Sequence, residues 1–158
     1  MNCSEIPVEK LLPHAGNMVL IDQLTDVSEN AASAIVNVRN NGVFCGNQDV
    51  VPAWVGIEYM AQAIAAWAGW HAHVENRPVK LGFLLGTRRY TSNVSQFHCG
   101  DILQVNVERN FGAEHGLGSF QCRITGITKN GEPVSIESTL NVFQPDEKQV
   151  KTLLEEKQ

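Results

Sequence analysis

Residues 52–73, PAWVGIEYMAQAIAAWAGWHAH, decide the architecture of this chain. Proline at the first helical position brings a fixed φ and loses no needed N–H, so the spacing predicts a helix from Pro52 to about His73. Ile57, Met60, Ala61, Ile64, Ala65 and Ala68 follow a 3.6-residue stripe. The other faces carry Trp54, Tyr59, Ala63, Ala66, Trp67 and Trp70, so the helix is apolar nearly all round. A helix of that kind is buried on most sides, and its alanines let sheet backbone approach closely.

Outward from this segment the pattern changes to strands. On the N-terminal side, Met18–Val27 and Ala32–Arg39 are β-rich, separated by a turn at Ser28-Glu29-Asn30. In the second run Ala34, Val36 and Val38 face one way, Asn37 and Arg39 the other. Before them, Ser4 to Leu12 reads as a short helix capped by Ser4 and ended by Pro13. Residues 40–51 form an irregular stretch. On the C-terminal side, Lys80–Val94, Ile102–Asn110, Gly118–Ile127 and Pro133–Phe143 are expected as four strands in meander order. The pair Asn130-Gly131 is the strongest hairpin signal among them. Past Pro145 the tail is charged. Two strands, one buried helix and four further strands have a simple solution: one sheet curls around the helix. The expectation is a single α+β domain over residues 1–158, the hotdog arrangement, with its core at about 5–144.

The composition agrees with one ordinary globular domain: 158 residues, 43% hydrophobic and 18% charged. Twelve Lys and Arg against 17 Asp and Glu leave a net charge of −5, which argues against nucleic acid as a main partner. No charge-free apolar run reaches the about 18 residues a membrane span needs. The opening MNCSEIPVEKLLPH is acidic and lacks the apolar core of a secretory signal. Cysteines 3, 45, 99 and 122 show neither zinc-site nor redox-motif spacing, so reduced thiols in a cytoplasmic protein are expected.

Glu58 is the most informative residue. It lies within the first two turns of a helix otherwise almost free of charge, and a buried carboxylate is costly without a partner. Desolvation favours its acid form, while the helix N-terminus favours the ionised one, the setting of a general acid or base. Gln62, four residues on, shares its face. The backbone N–H groups at Ala53 and its neighbours have no intrahelical partner and suit a developing oxyanion. Of five histidines, His71 and His73 complement the helix C-terminus and His98 and His115 fall in loops. His14, after the break at Pro13, is the candidate base. Arg88 and Arg89, with Lys80 and Arg77, are the one basic concentration, suited to a phosphate or an acidic protein.

Leu11-Leu12-Pro13-His14 followed by Met18-Val19-Leu20-Ile21-Asp22, the helix start Pro52 to Gln62, and Leu81–Val94 before Cys99-Gly100-Asp101 together resemble the hotdog 3-hydroxyacyl-[acyl-carrier-protein] dehydratases. The wording VPAWVGIEYMAQ with LGFLLGTRRY is closer still to a divergent branch, the predicted dehydratases of aryl polyene and related type II polyketide pathways. The resemblance implies that Glu58 is the carboxylate protonating the departing β-hydroxyl. Ala53 falls on the family's glycine whose N–H binds the thioester carbonyl, and Gly56 and Gln62 fall beside it as substrate-binding positions. It implies an acyl carrier protein with a phosphopantetheine-linked substrate as partner, docking at Arg88 and Arg89, and no metal or organic cofactor.

One position departs from that family. Its catalytic histidine falls eight residues before Pro52, where this chain has Phe44. A general base contributes about 10²–10⁴-fold, so its absence matters. Three arrangements answer it: His14 reaches the pocket of Glu58; a related, histidine-bearing hotdog subunit completes the site, as these dimers build each pocket from two chains; or the chain is a non-catalytic subunit. A hotdog acyl thioesterase is the alternative from another reaction class. Trp54, Trp67 and Trp70 favour a flat acyl group where they line the pocket.

Overall fold

The computed structural model describes residues 2–40, 49–79, 82–111, 116–144, 152 and 155. Phe44, Cys45, Lys80 and His115 lie outside them. The strands are β1 (Gln23–Val27), β2 (Ala31–Asn37), β3 (Val50–Pro52), β4 (Phe83–Ser92), β5 (Gln96–His98), β6 (Ile102–Phe111), β7 (Leu117–Ile127) and β8 (Pro133–Phe143), with one long helix, α1 (Gly56–Val74). Six strands form one antiparallel sheet in the order β1-β2-β6-β7-β8-β4, and β3 pairs with β5.

The sheet covers the helix with a strictly alternating face. Ala32, Ala34 and Val36 of β2, Leu103, Val105 and Val107 of β6, and Val134, Ile136 and Leu140 of β8 are all buried. Alternate residues of one face meet one layer, which is why these strands keep a period of two. Against them lie Met60, Ala63 and Ala66 of α1, none with any exposed surface. The small alanines bring the helix close to the strands.

Several expectations change in detail. The pairing of β4 with β8 replaces the expected four-strand meander: β4 crosses to the far edge, because the hairpins β6-β7-β8 fill the places beside β2. The N-terminal helix is instead two 3₁₀ turns, Cys3–Glu5 and Val8–Lys10, the first capped by the side chain of Asn2 rather than Ser4. Pro7 between them removes the N–H that a continuous helix would need. Pro52 ends β3 and precedes a 3₁₀ turn, Ala53–Val55, so α1 begins four residues later than expected. Residues 19–22 are not in a strand, for a reason that lies in α1 and is given below. The turns at 28–30 and 129–132 form as expected, the second with Gly131 at φ 79°, where a Cβ would be strained.

Candidate active site

One face of α1 is not covered by the sheet centre. Glu58, Ala61, Ala65 and Ala68 line a cleft of about 460 Å³ whose other walls are Leu84 of β4, Gly118 and Phe120 of β7, and Val142 of β8. The expected apolar stripe therefore divides: Met60 and Ile64 are buried, while Ile57, Ala61, Ala65 and Ala68 are half-buried, the last three on the cleft. The alanines make that wall smooth and narrow.

At the cleft, Glu58 meets His14. Pro13 and His14 contribute to its lining, and His14 Nε2 stands 3.8 Å from Glu58 Oε1. The two side chains keep 27% and 33% of their surface, so solvent and a ligand both reach the pair. His14 Nδ1 is buried and has no hydrogen-bond partner among the described residues. A neutral imidazole carries one N–H, and a buried unpaired donor is costly. The tautomer with its proton on Nε2 leaves no donor orphaned and presents that N–H to Glu58.

The remaining predicted positions serve the fold more than the cleft. The N–H of Ala53 donates to Ser95 O at 3.1 Å, so this donor is already used and is not open to an oxyanion. Gly56 is buried against Tyr90 and Ile124, where a Cβ has no room. Gln62 has no exposed surface, and its amide bonds to the backbone of Met18, Leu20 and Ile21. That capture takes the N–H groups of Leu20 and Ile21 that a strand would have used, and bonding to β2 begins only at Asp22, whose N–H donates to Ile35 O at 2.9 Å. Gly56 and Gln62, expected as substrate-binding positions, thus turn to Tyr90, Ile124 and the backbone of residues 18–21 rather than into the cleft. Arg88 and Arg89 are exposed on β4, where the ladder shifts register between Arg88 and Thr91 and Arg89 adopts φ 51°.

Among the tryptophans, Trp67 lines the cleft, Trp54 is exposed and Trp70 packs on the core. Trp67 meets Phe120 edge-on at 5.3 Å and carries the Arg109 guanidinium over its ring at 5.3 Å. Arg109 also donates from Nε and Nη2 to Asn30 Oδ1 at 3.1 and 2.6 Å. The sequence reading missed Arg109, although the period-two pattern carries the signal: Leu103, Val105 and Val107 point inward, and Arg109 is the next residue of that series. Among the described residues no three His, Cys, Asp or Glu side chains converge to hold a metal ion, and no helix is long and apolar enough to cross a membrane.

An antiparallel sheet wrapped about one long helix, with a helix carboxylate at its cleft, defines a hotdog-fold protein. The chain belongs to the ApeP-like family, described as ApeP dehydratase, whose family model matches residues 6–155. Its structure is similar to the dehydratase heterocomplex ApeI:P from Xenorhabdus doucetiae, with a TM-score of 0.80 and 33% identity over 94% of this chain and 97% of that one. AziG from S. sahachiroi, at 11% identity over 85% of this chain and 98% of that one, gives 0.56. A hypothetical thioesterase with coenzyme A from Streptococcus pneumoniae TIGR4, at 10% identity over 77% and 86%, gives 0.50. The last two share the fold alone. No match is found among curated proteins.

Proposed function

We propose that this chain is the acid-bearing subunit of a dehydratase that converts a carrier-protein-bound 3-hydroxyacyl thioester to its trans-2-enoyl form, working beside a related hotdog subunit. The observation that carries the reading is the His14–Glu58 pair on the cleft, 3.8 Å apart and half-open to ligand. Glu58 in its acid form gives its proton to the 3-hydroxyl. The C3–O bond breaks and water leaves; a base removes the C2 proton, and the C2–H electron pair becomes the new C2=C3 bond. As Glu58 loses its proton, the Nε2–H of His14 faces a growing carboxylate, and a hydrogen bond between them forms as they close from 3.8 Å. Stabilisation that increases toward the transition state is what accelerates the step. Catalytic hydrogen bonds are often long before substrate binds, so 3.8 Å is compatible with this role.

A base at His14 Nε2 would need a proton on Nδ1, which has no acceptor among the described residues. That favours a base from the second subunit, and the resemblance to a dehydratase heterocomplex supports the same reading. The close approach of His14 to Glu58 favours a second reading, in which His14 takes the C2 proton itself. The carrier protein would meet the exposed Arg88 and Arg89, which suit an acidic surface or a phosphate group.

Intact-mass measurement of a 3-hydroxyacyl carrier protein separates these readings. Loss of one water only when a histidine-bearing sister subunit is present, and only with Glu58 intact, supports the proposal. Loss of water with this chain alone supports His14 as base. Removal of the acyl group would make the protein a thioesterase. Turnover in the complex that ignores Glu58→Gln would leave this chain a scaffold.

A further inference from the structure

Glu58, Gln62 and Gly69 lie close to one line along α1, at offsets of four and seven residues. The segment bearing His14 is fastened to that line at two places. Gln62 Oε1 accepts from Leu20 N–H at 2.8 Å and from Ile21 N–H at 3.4 Å, and its Nε2 donates to Met18 O at 2.6 Å. One buried side chain thereby satisfies three backbone groups, one at Met18, the end of a 3₁₀ turn (Gly16–Met18), and two in the residues just after it, which belong to neither helix nor strand. At the other end, a Cβ on Gly69 would lie 1.9 Å from Leu11 O, so the backbone of Leu11 rests directly on the helix. His14 lies between these anchor points and has no side-chain tether of its own besides Glu58, its Nδ1 being unpartnered among the described residues.

We infer that Gln62 is the positioning residue for His14: its buried amide holds residues 18–21 against α1 and so sets the approach of His14 Nε2 to Glu58 Oε1. The inference rests on the proposed role of that pair. It explains a polar side chain with no exposed surface one turn from the acid, in a helix whose other interior positions are apolar. A buried amide is retained only where its hydrogen bonds are met, and here the partners are all in the segment of His14.

The test is a double-mutant cycle on dehydration by the assembled complex, with Gln62→Ala, His14→Ala and both together. A shift of about 1 Å in a catalytic pair costs up to about 100-fold, so Gln62→Ala is expected to lower kcat by about 10- to 100-fold with KM nearly unchanged. In the His14→Ala background the further loss should disappear. Equal losses in both backgrounds would show a merely structural amide and overturn the inference, as would a wild-type kcat in Gln62→Ala. Gln62→Glu serves where the alanine variant does not fold: it keeps the acceptor for Leu20 and Ile21 and places a carboxyl oxygen at Met18 O, which bonds there only in its protonated form, so it is assayed at low pH with a thermal melt beside it. It should give a smaller loss that likewise vanishes without His14. If His14→Ala and Glu58→Gln both leave turnover intact, the reading of the pair fails and takes this inference with it. Additive losses instead leave the pair standing and remove only Gln62.

Discussion

The Tyr90 hydroxyl fills the space that a side chain at position 56 would occupy: a Cβ on Gly56 would come within 2.2 Å of Tyr90 Oη. That hydroxyl donates to Ala53 O and ties the edge strand β4 to the turn that leads into α1. Burial pushes the phenol well above its ordinary range, so it remains a donor through neutral pH. Gly56→Ala is expected to destabilise by about 1–3 kcal/mol through overpacking. The clash is with the far end of a side chain, so adding Tyr90→Phe should recover part of the loss. Thermal melts of the two single variants and the double variant check this, and strictly additive costs would separate the two residues.

Glu58→Gln keeps the shape of the side chain but removes the proton it would deliver. Turnover by the assembled complex should fall about 10²–10⁴-fold, the usual contribution of a general acid. KM for the acyl carrier protein should stay close to wild type, since the carboxylate acts mainly on the reacting atoms. Mass analysis of the carrier over time gives both constants.

Cys122 lies fully buried on β7, and burial pushes its thiol up to about 12. The folded chain therefore holds this proton well after the unfolded chain, near 9.0, has released it. Below pH 9 both states are protonated and the group leaves stability unchanged. As pH rises from 9 toward 12 the unfolded state binds fewer protons, so stability falls by up to about 1.4 kcal/mol per pH unit from this one group. Urea midpoints at pH 8 and pH 10.5 should decline more steeply in wild type than in Cys122→Ala. In the native state at pH 8, iodoacetamide should label Cys99 well before Cys122.

Arg88 and Arg89 are exposed, and Arg89 holds a positive φ at the register shift of β4. With both changed to Glu, KM for the acyl carrier protein should rise about tenfold or more at low salt, while kcat at saturation stays close to wild type. The difference should shrink as ionic strength rises and screens the exposed charges. A salt-independent KM would place the carrier protein elsewhere.

Much of the sheet was legible because its determinants are local. The hairpin of β1 and β2 and the strands β6 to β8 follow from alternation and turn residues; β1 starts five residues later than expected, and the other ends agree within two. The position of β4 was not legible: its partner lies some 50 residues onward, and period two says which face is buried without saying which neighbour is paired. The site was half-legible. A lone carboxylate on an apolar helix marked Glu58, and the break at Pro13 marked His14. The shared face of Glu58 and Gln62 was also visible, but helical spacing cannot say that one residue meets the cleft and the other the backbone of a distant loop. Ala53 and Gly56 were read for their place in a motif, whereas their surroundings at Ser95 and Tyr90 come from strands that local spacing does not bring near.

The route of β4 also has a consequence for how the molecule is made. This strand is synthesised directly after α1, yet the strand beside it in the sheet, β8, is the last element of the core to emerge. Until then the nascent chain carries a complete apolar helix, an unpaired β4 and the incomplete sheet β1-β2-β6-β7, which has no seat for β4. Its closure must wait for contacts of long sequence separation, which slow folding and prolong the exposure of sticky surface. A chain stopped after β7 would therefore lack not only one strand but also the seat of another, and it should be cleared or captured by chaperones rather than accumulate as a smaller stable domain.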